Sequence, residues 1–155
     1  MRAQCYTTLV RPLLEYSSAV WDPHTQLNID KLEAVQRRAA RFIVNDYSTY
    51  SSVTDMLNRL GLPTLRERRA QARVVVFYKV INNRLVVPYD HLTPHQSRSR
   101  KGHNKRYLLP HTRLTVYQRS FFPDAIRLWN DLPSDVVNLE LDAFKMKVQS
   151  LALRG

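Results

Sequence analysis

A mostly α-helical fold is predicted for this 155-residue chain by three features of its sequence. Apolar residues recur at helical spacing in several stretches, and capping boxes stand before two of them. Only two short runs favour strands, enough for at most a small hairpin. The expected organisation is a helical lobe over 3–83, a basic connector over 84–118 and a second small helical lobe over 119–153.

Taken in order, Cys5 to Val10 and Leu13 to Tyr16 read as one helix bent at Pro12, which lacks a backbone N–H. Asp22-Pro23-His24 closes it. A second helix is expected from Asn28 as N-cap, with Leu32, Val35, Ala39, Phe42 and Ile43 on a buried face and Lys31, Arg37, Arg38 and Arg41 largely off it. If that face is core, truncating Phe42 to Ala costs about 3–5 kcal/mol. Ser52-Val53-Thr54-Asp55 has the form of a capping box, and Gly61 suits the residue just past the helix end. Thr64-Leu65-Arg66-Glu67 opens a fourth helix running to about Asn82. Leu65, Ala72, Val75, Val76 and Val80 are its expected apolar set, backed by Arg66, Arg68, Arg69 and Arg73. The β-branched run Val74-Val75-Val76 leaves a strand open as an alternative there.

After Arg84 the composition changes. Ser97 to Gly102 reads as loop, and Tyr107-Leu108-Leu109 with Leu114-Thr115-Val116-Tyr117 are the two strand candidates. Helical signals return at Phe121-Phe122-Pro123-Asp124, since Pro suits a first turn, and stop at Leu132-Pro133. A last helix carries Leu141, Phe144, Val148 and Leu151 on one face.

Composition narrows the function classes. With 44% hydrophobic residues and 15 aromatics, wholesale disorder is not expected. The single Cys5 excludes an internal disulfide, and the absence of a signal-peptide pattern leads to an intracellular expectation, in nucleus or cytoplasm. The longest strictly apolar run is Val74 to Phe77, far short of a membrane span. The 24 Lys+Arg against 13 Asp+Glu give a net charge of +11, which favours a polyanionic partner. Nucleic acid is the first such partner, an anionic membrane surface the alternative.

Catalytic chemistry finds no support. His91, His95, His103 and His111 cluster in the connector, but Thr93-Pro94 disfavours a helix there and neighbouring cations oppose a metal dication. They read as loop histidines that add charge or hydrogen-bond phosphate. Cys5 lies in an apolar helical pattern and reads as a packing residue. No Gly-x-Ser-x-Gly elbow or phosphate-cradling Gly loop occurs, and the Asp residues read as caps and helix-start acids. No cofactor and no metal are therefore expected.

Basic residues with interleaved aromatics remain. From His91 to Pro123 there is no acid, but seven cations: Arg98, Arg100, Lys101, Lys105, Arg106, Arg113 and Arg119. Guanidinium groups pair with phosphate through two N–H donors, and Tyr107 is placed to stack on an unpaired base. Arg37, Arg38 and Arg41 on the second helix, with Arg68 and Arg69 on the fourth, extend the candidate surface. The plain alternative is that these helix arginines form solvated faces whose stems cover apolar surface.

Several motifs then carry a family likeness. Leu9-Val10-Arg11-Pro12-Leu13-Leu14-Glu15-Tyr16 with Val20-Trp21-Asp22-Pro23 resembles a segment downstream of the polymerase domain in non-LTR retrotransposon reverse transcriptases of the jockey-like and related groups. Leu32 to Ala39, Leu60 to Leu65 with Arg68-Arg69, Ser120 to Pro123 and Trp129 to Pro133 follow in the same order, so the resemblance covers nearly the whole chain. It implies a parent polyprotein with endonuclease, then polymerase, then this region. The family's Tyr/Phe-x-Asp-Asp motif is absent, as is the Cys/His knuckle of some relatives, so no catalytic residue is carried over. The implied function is holding template RNA or target DNA through phosphate contacts, which position without reading sequence. Three rivals stand beside it: an enzyme with an unrecognised site, a packing module for the absent polymerase domain, and an inert truncated relic. Because the aspartates that hold two magnesium ions are missing, purified protein is expected not to extend a primed template with deoxynucleotides and magnesium. Extension above a mock preparation overturns this.

Overall fold

The computed structural model describes residues 1–88, 92–95, 103–111 and 113–153. The chain is mostly helical, and it divides by contacts into two units, Met1–Arg69 and Ala70–Gly155. The division falls inside the fourth helix and not at the composition change after Arg84, because Ala70, Val74, Phe77 and Tyr78 belong to the apolar cluster of the second unit.

The first unit opens with α1 (Arg2–Cys5), a π-helical turn (Tyr6–Val10) and α2 (Arg11–Glu15). Pro12 sits in the first turn of α2, where its missing N–H is harmless, and the expected bend appears as the wide turn just before it. α3 (Gln26–Val44) starts one turn earlier than expected, with Thr25 and not Asn28 in the N-cap position. It ends on Asn45 in the left-handed region at φ 60°. α4 (Val53–Arg59) begins as its sequence indicates, Ser52 Oγ accepting from the Asp55 amide at 3.3 Å. Its end is a Schellman motif: Leu62 N–H donates to Leu57 O and Gly61 N–H to Asn58 O. Gly61 stands at φ +61° with open space around a built Cβ, so its backbone conformation, and not crowding, selects glycine. α5 (Leu65–Ile81) also begins as expected, Thr64 Oγ1 accepting from Glu67 N–H at 3.1 Å. A carboxylate joins that hydroxyl, because Glu33 accepts from Arg66 N–H at 2.9 Å.

The interior of the first unit differs from the sequence expectation. α3 buries Glu33, Gln36 and Ala40, while Leu32, Val35 and Ile43 are half-buried and Phe42 is 51% exposed. Gln36 accepts from Tyr6 Oη at 2.8 Å and donates to Pro63 O at 2.9 Å. Burial holds the Tyr6 phenol up at about 12, so it remains a donor at any ordinary pH. Arg69, expected among solvated arginines, is only 2% exposed. It donates to Asp22 at 2.6 Å, Leu14 O at 2.5 Å and Trp21 O at 2.7 Å, and its guanidinium lies 4.1 Å from the Trp21 ring centroid. Arg68 pairs with Glu15 through Nε and Nη2, which raises the Arg68 pKa.

The second unit contains the apolar core. The Val74 to Val76 run is helical within α5, so the strand alternative falls. Ala70, Val74, Phe77 and Tyr78, at i, i+4, i+7 and i+8, are its buried face, displacing the expected set of Ala72, Val75, Val76 and Val80. Arg73 is buried too, paired with Asp124, which also accepts from Arg127. α6 (Thr115–Gln118) is a single helical turn where the second strand candidate was read. α7 (Phe121–Asn130), with Pro123 in its first turn, and α8 (Leu141–Gln149) complete the unit. Trp129 lies at the centre, ringed by Phe77 at 5.7 Å, Tyr78 at 6.3 Å and Phe144 at 5.9 Å between centroids. Phe144 and Val148 are buried and Leu141 and Leu151 pack against them, as the last-helix pattern indicates.

Two substitutions separate the polar hub from the open apolar face. Arg69→Leu takes the guanidinium away from the Asp22 carboxylate and from two carbonyls, and is expected to cost about 3 kcal/mol or more. Phe42→Ala is expected to cost under about 1 kcal/mol, because half the ring is already in water. Urea unfolding followed by circular dichroism measures both. Equal costs for the two, or the reverse order, contradict this description.

Candidate nucleic-acid interface

The second unit carries 14 of the chain's Lys and Arg residues against 6 Asp and Glu, so most of the charge excess resides there. How its basic connector is held follows from the last two residues of α7. Trp129 donates from its indole nitrogen to Lys105 O at 2.7 Å. The Asn130 carboxamide accepts from Tyr107 N–H at 3.0 Å and donates to Tyr107 O at 2.8 Å, so one side chain satisfies both polar groups of one peptide residue as a neighbouring strand does. On the other side an antiparallel bridge joins Pro94 and Tyr107, with His95 N–H on Arg106 O at 2.8 Å and Leu108 N–H on Thr93 O at 2.9 Å. Tyr107 therefore pairs with the chain before it and not with residues 114–117 as the sequence suggested.

His103 adds a third attachment. It is buried, with its ring 5.7 Å from Trp129 and nearly perpendicular to it. Its Nε2 lies 2.9 Å from Trp129 O, and its Nδ1 accepts from Lys105 N–H at 3.2 Å. Those partners assign the neutral tautomer with hydrogen on Nε2. Burial lowers the His103 pKa, Arg106 and Lys105 lower it further, and the Trp129 carbonyl bond opposes them. The expectation of a solvent-facing, charge-adding histidine is corrected here.

The candidate contact residues fall into distinct groups. Arg98, Arg100 and Lys101 lie outside the described residues. Lys105 and Arg113 are exposed, and Arg106 is half-buried. Arg106 lines a cavity of about 330 Å³ with His95, Tyr107, Leu108, Leu109, Asn130 and Asp131. The Tyr107 ring is turned to the core, edge-on to Phe77 at 5.6 Å, and burial raises its pKa. It anchors the segment, which corrects its assignment as a base-stacking ring. In the first unit Arg37 and Arg38 are exposed, while Arg41 is half-buried and donates to Ser48 O at 2.7 Å. Arg68 and Arg69 are withdrawn from the candidate surface, because their guanidinium groups are committed to Glu15 and Asp22.

Sequence reasoning missed Trp129 and Asn130 as clamps and His103 as an inward anchor. The adjacency of an indole and a carboxamide after an apolar helix was visible, but their targets are backbone atoms of a segment whose own side chains reveal nothing of it. Among the described residues there is no group of three or more His, Cys, Asp and Glu side chains placed to hold a metal ion. Among them also, no helix is long and apolar enough to cross a membrane. No protein-family model, curated protein or solved structure matches the chain.

The lowered His103 pKa has a definite sign. Above the unfolded-state value of about 6.5 the ring is neutral in both states and its contribution to stability is complete. As pH falls from there towards the folded-state pKa, the unfolded chain binds the proton first and stability declines. Thermal unfolding between pH 7.5 and pH 5 (about one unit either side of the ordinary histidine value) is therefore expected to show a steeper loss in the parent than in His103→Gln. Parallel profiles contradict the assignment.

Proposed function

We propose that this chain is a nucleic-acid-holding segment, non-catalytic on its own, of the kind that follows the polymerase domain in non-LTR retrotransposon reverse transcriptases. The observation that carries the reading is the clamped connector: backbone bonds from Trp129, Asn130 and His103 tie residues 103–108 to the second unit in a stretch with cations and no acid. A polyanion relieves the mutual repulsion of those cations and releases its condensed counterions. Fixing the backbone beforehand lowers the ordering cost that a free basic tail meets on binding. The partner is RNA or DNA, and the work is electrostatic positioning beside a polymerase within a ribonucleoprotein in nucleus or cytoplasm.

A second reading has its own observation. In the first unit Leu9, Leu13, Tyr16 and Val20 are all largely exposed, Leu13 at 74%, which suits docking against a parent polymerase domain. Stable association of the chain with that domain, lost in Leu9→Ser/Leu13→Ser, is the outcome that supports it.

Changing Arg98, Arg100, Lys101, Lys105 and Arg106 together to Gln is the test of the main reading. Binding to every nucleic-acid sequence is expected to weaken similarly. The plot of log affinity against log salt is expected to flatten by about 0.7 per lost contact on single strands and about 0.9 on duplex. Filter binding at several salt concentrations measures this. Unchanged affinity and slope exclude the connector as the binding surface.

A further inference from the structure

We infer that the C-terminal end of α3 and the loop after it form a stacking platform for unpaired bases, so that the first unit grips single-stranded nucleic acid. The inference rests on the nucleic-acid reading above and adds the strandedness of the ligand and a second place where it lies. Three rings stand in water within nine residues: Phe42 at 51%, Tyr47 at 63% and Tyr50 at 98% exposure. A ring as bare as Tyr50 has no packing duty, and folding alone gives no reason for an aromatic there.

The loop that bears them is built and held. Arg41 donates to Ser48 O at 2.7 Å, Asp46 accepts from Ser48 N–H at 3.0 Å, and Ser48 Oγ accepts from Tyr50 N–H at 3.2 Å. Arg2 donates to Phe42 O at 3.1 Å and Asn45 Oδ1 at 3.3 Å, with its guanidinium 5.0 Å from the centroid of the Phe42 ring. Asn45, in the left-handed conformation, turns the chain out of the helix at that point.

The charges around the rings choose the occupant. Arg38 precedes Phe42 by four residues and shares its helix face, and Arg2, Arg41 and Arg59 complete a cationic surround. The one carboxylate of the loop, Asp46, is occupied by Ser51 and Ser48, whose hydrogen bonds lower its pKa, with Arg41 and Arg59 lowering it further. Tyr47 and Tyr50 with rings in water, and Phe42 with the Arg2 guanidinium over one face, match a chain of bases joined by phosphates. A duplex has its bases already stacked and offers these rings nothing. An apolar protein partner leaves the arginines unmatched.

The experiment compares the parent with Phe42→Ala/Tyr47→Ala/Tyr50→Ala and with Tyr50→Ala alone, whose nearly bare side chain leaves folding undisturbed. The probes are a short oligouridine RNA and an RNA duplex of the same length. Single-strand affinity is expected to fall about tenfold for each ring that stacks, with duplex affinity and the salt slope unchanged. Photocrosslinks from a bromouridine-substituted strand are expected at Tyr47 or Tyr50. Unchanged single-strand affinity in the triple variant overturns the platform, and a patch serving a protein partner gives that result. An equal fall on both probes overturns it as well. If the triple variant binds as the parent does while the five-fold Gln variant loses binding, the connector reading stands and this one alone fails. If the parent binds neither probe, both fail.

Discussion

Burying the guanidinium of Arg69 is the constraint around which the first unit is arranged. A charge removed from water is costly unless it is paired and hydrogen-bonded, and here each guanidinium nitrogen donates once, to one carboxylate and two carbonyls, with the face of an indole beside the group. All four of those partners lie from Leu14 to Asp22, so the end of α2, the turn with Ser17 at φ 51° and the Trp21 ring are set by one side chain. Trp21 is in turn tied by its indole N–H to Tyr16 O at 2.9 Å. Asp124 does comparable work in the second unit, where Arg73 and Arg127 both donate to it. Polar hubs of this kind fix register sharply, because a shift of one residue leaves a buried charge unmet.

The starts of α4 and α5 and the stop of α4 were legible because they are local, whereas the start of α3 lies at Thr25 and not at Asn28. Ser52, Thr64 and Gly61 each act through atoms within five residues, and each does what its type and spacing indicate. Which face of α3 and of α5 turned inward was not legible, although that of α8 was. Hydrophobic periodicity assumes that arginine faces water, yet Arg69 and Arg73 are buried because carboxylates 47 and 51 residues away receive them. The same distance hid Phe42, whose apolar neighbours on α3 are only half covered while Glu33 and Gln36 are buried for their hydrogen bonds.

The candidate interface divides along the same line. Its cations could be counted in the sequence, since charge needs no fold to exist. Its anchoring could not, because Trp129 and Asn130 reach 24 and 23 residues back to backbone atoms that every amino acid presents alike. Tyr107 shows the cost of that blindness: an aromatic beside arginines suits a base in sequence, and an edge-on contact with Phe77 in the fold. Main-chain anchoring has a functional merit. Backbone groups of Lys105, Arg106, Tyr107 and Leu108 hold the segment, and the side chain of Lys105 stays exposed.

The contrast between the two interiors reaches into their thermodynamics. Heat capacity rises on unfolding with the apolar surface released and falls with the polar surface released. Trp129 and its aromatic ring of neighbours give the second unit the steeply curved temperature response of an apolar core. A unit whose buried side chains include Glu33, Gln36 and Arg69 releases much less apolar surface for its size, so its stability varies gently with temperature and fades little on cooling. Hydrated charge, moreover, becomes less favourable as temperature rises, which lowers the penalty for keeping that guanidinium buried. Warming therefore weakens the two halves of this chain by different laws.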